Sequence, residues 1–315
     1  MRLARKEGLS ITALFRSSKF PHIAALLAVL LFPIRVVSGQ NFDRTVNGEL
    51  ALRAYQNSFP DKVSSVAFVD NDWTITAGGE TFFWAGGRIL PEAEKEKIDF
   101  YGPHAFYRYA ARPPSPDTFP PQFIDALRAR GSEESRSNRK DTNHKFQGII
   151  YRGLERREIE ALLVKVVFLG KTVTVHRDIA QAIKNVDAEI RRWNGSAAFI
   201  SSIDTISGYN WREIAGTKRM SYHSWGIAID IQPKRLSGKA IYWLWERERN
   251  KDWMLVPLEK RWNPPDPVIE AFEREGFIWG GKWPFYDNMH FEYRPELIEF
   301  NRPLTSADVG LKADR

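Results

Sequence analysis

The 315-residue sequence contains no cysteine. That absence excludes disulfide frameworks, thiolate zinc sites, iron–sulfur clusters and cysteine nucleophiles, so any metal must be held by His, Asp or Glu. Histidine is scarce as well: His22, His104, His144, His176, His223 and His290 are the whole supply. Long apolar runs are missing too. The uninterrupted run Ile23 to Phe32 has ten residues, half of the roughly 20 that span a bilayer. What remains is ordinary globular material, 43% hydrophobic and 27% charged, which excludes disorder throughout and collagen-like or repeat-only architectures. The length suffices for about two domains.

A formal charge of +7 points at first to a polyanionic partner, but six of the 46 basic residues lie in residues 1–39 beside a single acid, Glu7. Outside that stretch 40 basic residues face 38 acidic ones, too even a balance to argue for nucleic acid. The first 39 residues have the order of an export leader: basic residues, the apolar run, then Val37-Ser38-Gly39 before Gln40. The reading is a signal peptide cleaved near Gly39 or an uncleaved N-terminal anchor. In either case the bulk of the chain is expected outside the cytoplasm, in the periplasm or cell-wall space, with membrane contact only through the leader.

Residues 40–127 read as a β-rich accessory region. Val63 to Val69, Trp73 to Thr76 and Thr81 to Trp84 alternate with the turn signals Asp70-Asn71-Asp72 and Gly78-Gly79. Tyr101, Phe106, Tyr107 and Tyr109 lie in a Pro-rich stretch, either wedging a small domain together or offering a face to wall glycan. The run 128–146 is nearly devoid of apolar residues and reads as a polar linker. Beyond it a domain is expected over 147–300, followed by a tail over 301–315. Within that domain Glu155 to Phe168 reads as helix and Lys171 to Val175 as strand. Ile179, Ile183, Val186, Ile190 and Trp193 recur at helical spacing, and Asp266-Pro267 opens a helix that closes at Gly276. Asn194-Gly195-Ser196 is an incidental sequon.

Two short segments carry the chemistry. From Gly226, Ile227, Ile229 and Ile231 alternate with Ala228 and Asp230, so a strand buries its isoleucines and turns Asp230 to the other face, with His223 on the preceding turn. In Asp287 to Tyr293, Asn288, His290 and Glu292 share one face and Met289, Phe291 and Tyr293 the other, with the strand expected to begin at Asn288. Pairing these strands in one antiparallel sheet sets Asp230 beside His290, and His223 completes three nitrogen and oxygen donors with an open fourth position. The other four histidines read as structural or surface residues.

Read together, Ser221-x-His223-x-x-Gly226-x-Ala228-x-Asp230 and Asp287-x-x-His290 resemble the paired motifs of the VanY-type D-alanyl-D-alanine carboxypeptidase and L-alanyl-D-glutamate endopeptidase family, LAS-type zinc enzymes of the M15 peptidases, closest to subfamily C. The flanks Gly208-Tyr209-Asn210-Trp211-Arg212, Gly216-Thr217 and Trp279-Gly280-Gly281 are similar as well, and the resemblance covers roughly Val173 to Glu292. It implies an α+β fold, with flanking helices and a small antiparallel sheet that carries the zinc site, as in the Hedgehog N-terminal domain. It further implies one Zn2+ per chain on His223, Asp230 and His290, with Asp287 as catalytic base and peptidoglycan stem peptides as substrate. Asp in that position favours the endopeptidase-like branch. Arg212 is the candidate for stabilising the oxyanion, with Arg219 as runner-up; Ser221 is expected to orient substrate or a ligand histidine, and Glu292 to hold His290. The rival functions are a non-catalytic zinc-stabilised wall-binding module and a wall-binding protein working through residues 40–127.

Overall fold

The computed structural model describes residues 47–303, and the expected leader, with His22, lies outside them. The chain is α+β, as its patterning and resemblance imply. In order it runs α1 (Gly48–Ser58), β1 (Val63–Val69), β2 (Asp72–Ala77), β3 (Glu80–Phe83), β4 (Leu90–Pro91), α2 (Pro121–Gly131), α3 (Glu133–Ser137), α4 (Lys145–Tyr151) and α5 (Arg156–Glu160). It continues through β5 (Leu163–Phe168), β6 (Lys171–His176), α6 (Ala180–Arg192), α7 (Ser196–Ser202), β7 (Ile203–Ser207), β8 (Ala228–Pro233), α8 (Trp243–Arg247), α9 (Asp266–Arg274), β9 (Phe277–Trp279), β10 (His290–Tyr293) and α10 (Pro295–Phe300). Among these helices none is long and apolar enough to cross a membrane.

Among the described residues three antiparallel sheets form: β1-β2-β3-β4, the hairpin β5-β6, and β7-β8-β10-β9. The first follows its turn chemistry. Asp70 and Asn71, at φ 50° and 62°, link Val69 to its partner Asp72, and Gly78 and Gly79, at 59° and 82°, link Ala77 to Glu80. Two residues with positive φ are what a tight hairpin matched to strand twist requires.

The helix expected over 155–168 is half strand. A capping box between Glu155 and Glu158 starts α5, which ends at Glu160, and the valine-rich run Leu163–Phe168 then pairs with β6. β-Branched residues fit a pleated surface better than a helix, and Leu169-Gly170 closes the hairpin at φ 48° and 80°. The Leu169 amide in that turn donates to Asp187 Oδ1 at 2.6 Å, which fastens the hairpin to α6. α6 buries Ile183, Val186 and Ile190 as its spacing predicts, and α9 lays Phe272 flat on Phe291 of β10, ring centroids 3.9 Å apart.

The polar run 128–146 is not an extended linker: it holds the end of α2, all of α3 and the start of α4. Arg136 and Asn143 are buried there, Arg136 donating to the Ala215 carbonyl beneath the Trp243 ring, 5.2 Å from its centroid, and Asn143 to Glu94 at 2.7 Å. Burial here is satisfied by polar partners, so it leaves no apolar signature. Leu127 of α2 packs with Trp243, Trp253 and Tyr286 from the segment following β8. A larger core joins Leu52, Phe82 and Phe106 to Phe146, Ile183, Ile229, Phe272 and Phe291, so one apolar cluster lies on both sides of that run.

Candidate metal centre

His223 is carried by a single 3-10 turn, Tyr222–Trp225. Ser221 caps it, its hydroxyl accepting from the His223 amide at 3.3 Å. Gly226 ends the turn at φ 67°, where a Cβ would stand 2.8 Å from the His176 amide nitrogen. The chain then enters β8, with Ile227, Ile229 and Ile231 fully buried and Asp230 facing the other way. His290 opens β10 directly opposite Asp230 in the register. The strand begins there and not at Asn288, because residues 287–290 form a turn closed by the His290 amide on the Asp287 carbonyl at 3.2 Å. Residues three apart on a flat strand would point to opposite faces; here Asp287 and His290 are instead the two ends of a turn.

The donor atoms of His223, Asp230 and His290 lie within 4.8 Å of one another. Each imidazole has one nitrogen fixed by an outer partner. His223 Nδ1 donates to the Gly208 carbonyl at 2.6 Å, and His290 Nε2 donates to Glu292 Oε2 at 3.1 Å. The inner nitrogens face Asp230: His223 Nε2 lies 3.2 Å from Oδ2 without a hydrogen bond, and His290 Nδ1 lies 2.9 Å from Oδ1. Oxygen partners behind ligand imidazoles are the usual device for setting tautomer and ring orientation in metal sites. Burial opposes a charge on His290, but the Asp230 and Glu292 carboxylates at its two nitrogens raise it well above the ordinary imidazole value. Burial likewise works against ionised Asp230, and the two imidazoles overcome it, holding the carboxyl below its usual range. The site thus favours positive charge where its donors converge. Two nitrogens and one carboxylate suit zinc, and three protein donors leave a fourth position open, the pattern of a catalytic ion. The residues fit the metal.

Asp287 is half-buried as a residue, but its Oδ1 is enclosed and has no hydrogen-bond partner. Burial pushes its pKa up to about 7; Asp230 and Glu292 push the same way, against His290 and Arg212. Its backbone is fastened by its amide on the Gly280 carbonyl at 3.1 Å and by a bridge to Tyr242. A Cβ at Gly280 would come 2.6 Å from the Asp287 carbonyl oxygen, which accounts for that glycine.

Arg212 and Arg219 separate. The Arg212 backbone is clamped to the His223 turn by Ser224 Oγ, which accepts from its amide at 3.0 Å and donates to its carbonyl at 2.9 Å. Its guanidinium is exposed and acts electrostatically on Asp287. Arg219 Nε lies 4.0 Å from Asp141 Oδ1 and bears electrostatically on His104. Among the other histidines, His144 pairs with Asp141 at 2.9 Å and buried His176 donates to the Tyr151 carbonyl at 2.9 Å. Tyr242 was not singled out by the sequence. Burial raises its hydroxyl pKa, with Asp287, Arg136, Arg212 and Asp230 as further influences, so it borders the site. The aromatic run Tyr242-Trp243-Leu244-Trp245 was its only signal.

Residues 215–293 match the family model of a D-alanyl-D-alanine carboxypeptidase, one of the M15 peptidases. The M15 match contains the three donors, Asp287, Ser221, Arg219 and Glu292, and stops short of Arg212. M15 peptidases are zinc-dependent, which agrees with the His–Asp–His donor set. Residues 51–106 match a second family, described as a domain of unknown function. No curated protein and no solved structure matches the chain.

Proposed function

We propose that this chain is a zinc peptidase that hydrolyses peptidoglycan stem peptides, as a D,D-carboxypeptidase or an L-Ala-D-Glu-type endopeptidase, with one Zn2+ on His223, Asp230 and His290. The observation that carries this reading is a buried carboxyl, Asp287, held with a raised pKa and an unpartnered oxygen beside three convergent donors. A purely structural metal site gains nothing from such a group, since an unsatisfied buried acceptor costs about 1–3 kcal/mol. This favours an enzyme over a wall-binding module.

Zinc, when bound, supplies Lewis acidity that brings the pKa of a water ligand to about 7. The remaining steps belong to the chain. Asp287 Oδ1 accepts the proton of the attacking water and returns it to the leaving amine. Arg212 presents its guanidinium to the oxyanion as charge develops or to a substrate carboxylate. Arg219 has a supporting part, through Asp141, in the loop before His223. The leader would carry the protein out of the cytoplasm, where its substrate lies.

The test is mass spectrometry of purified muropeptides after incubation with the zinc-loaded protein, alongside elemental analysis. One zinc per chain and release of a D-residue or a cleaved stem are expected. Protein that binds no divalent metal and leaves every muropeptide intact would refute the reading.

A further inference from the structure

Residues 104–109 belong by sequence to the N-terminal region, yet they run as an irregular segment against the metal-bearing sheet, touching Trp279 of β9, Trp283 and Arg294. We propose that this segment is a built-in support of the metal centre that fixes the ring of His290, with Tyr107, Trp283 and Arg294 as positioning residues. The inference rests on the metal-site reading above.

Two arms reach His290. In the first, the Ala105 carbonyl accepts from Arg294 Nη2 at 2.7 Å, Arg294 Nη1 donates to Glu292 Oε1 at 3.3 Å, and Glu292 Oε2 accepts from His290 Nε2 at 3.1 Å. Arg294 is fully enclosed and also donates to Glu296, so its guanidinium is held on three sides. This arm does chemical work: a neutral imidazole can carry its proton on either nitrogen, and only the Nε2–H form leaves the Nδ1 lone pair facing Asp230. Glu292 imposes that form as long as Arg294 keeps its carboxylate aimed at Nε2. In the second arm, Tyr107 Oη accepts from Trp283 Nε1 at 2.6 Å, and the Trp283 ring stands 5.7 Å from His290, whose other neighbour is the His223 ring at 5.2 Å. Tyr107 thus fixes the wall that confines His290.

The segment is itself immobilised. Tyr107 and Tyr109 turn to the metal-bearing side, Tyr107 Oη to Trp283 and Tyr109 Oη accepting from the Trp279 amide at 2.8 Å. Phe106 turns the other way, into Tyr55, Trp84 and Phe300. The His104 amide donates to the Gly87 carbonyl at 2.7 Å, and Asn301 brackets Tyr107 and Tyr109 through its side-chain amide at 3.0 and 2.9 Å.

The experiment measures zinc affinity of the full chain by chelator competition, well below the melting temperature, with near-UV circular dichroism to establish folding. Partners behind metal ligands typically tune affinity by 10- to 100-fold. Tyr107→Phe, which removes one oxygen, should weaken zinc binding about 10-fold in protein that remains folded, and Glu292→Ala should weaken it further. Phe106→Leu, in the same segment but facing away, should melt earlier and bind zinc as the wild type does. Unchanged affinity in folded Tyr107→Phe overturns the proposal, whether or not Glu292→Ala folds. Equal losses in Tyr107→Phe and Phe106→Leu overturn it too, since they would reduce the segment to general scaffolding. Wild-type protein without zinc would instead refute the metal-site reading and take this inference with it.

Discussion

In the proposed mechanism the carboxyl of Asp287 is the general base. Burial holds its pKa near 7, so a large fraction is ready to accept a proton at neutral pH. Asp287→Asn should retain zinc and lower turnover by 10²- to 10⁴-fold, whereas His223→Ala should lose both metal and activity. The pH profile carries a second signature. The active form is the ionised one, so kcat/KM should fall as pH drops through the pKa of Asp287. A bound divalent cation acts in the opposite direction to burial, which sets that acid limb at or below about pH 7. Asp287→Asn should abolish the limb. Near wild-type turnover on a muropeptide would assign proton transfer to another group, Glu292 being the alternative buried carboxyl. Strand alternation made Asp230 and His290 legible by separating them from their apolar neighbours. His223 on the preceding turn, and the three as a set, were legible through the resemblance to the family motifs. The outer partners of the imidazoles were less legible. Gly208 contributes a backbone carbonyl, which no side-chain pattern announces.

At the scale of elements, the 3-10 turn Tyr222–Trp225 is the joint on which the metal site hangs. Gly226 closes it in the left-handed region, φ 67°, and its carbonyl accepts from the His176 amide at 2.8 Å. A methyl group there meets backbone, which cannot swing aside as a side chain does, and a non-glycine residue is strained in that conformation. Gly226→Ala should therefore cost about 1–3 kcal/mol of stability in urea or thermal unfolding and weaken zinc binding by displacing His223. A variant as stable as the wild type would show that the turn can be rebuilt without glycine. Elements were legible where the local pattern decided them, as in the hairpins at Asp70-Asn71 and Gly78-Gly79 and the helix α6. They were misread where tertiary partners decided. Leu163–Phe168 lacks a Gly-Pro or Asn-Gly signal before Leu169, and its pairing with β6 outweighs the helical continuation from α5. α3 was hidden because its one buried residue, Arg136, is buried by polar contacts.

Over the whole molecule, the N-terminal region and the metal-bearing sheet share one core. Tyr55, Phe59, Trp84, Phe106 and Tyr107 are buried in the same cluster as Phe272 and Phe291, and α1 packs on α10. Ion pairing crosses as well: Lys62 Nζ lies 2.6 Å from Asp178 Oδ2, joining the entry to β1 with the entry to α6. Burying one large apolar side chain contributes about 1.5–3 kcal/mol. The five aromatic residues named above therefore account for roughly 7–15 kcal/mol, comparable to the whole margin of about 5–15 kcal/mol by which domains of this kind are stable. Removing them also strips the Ala105 carbonyl from Arg294, leaving a buried guanidinium short of a partner. A fragment of residues 147–303, although it retains every proposed zinc ligand and Asp287, is thus expected to lack a cooperative thermal transition, to expose apolar surface to a hydrophobic dye, and to cleave no muropeptide. Adding residues 47–146 as a separate chain can restore these properties only if the two pieces rebuild the shared core. A fragment that melts cooperatively and binds zinc with full-length affinity would show that the sheet carries its metal site unaided. The near-absence of apolar residues from 128–146 suggested such independence, but it reflects only how most of that segment is buried. The dependence itself lies in aromatic residues such as Phe106 and Tyr107, whose partners Phe300 and Trp283 are more than a hundred positions away.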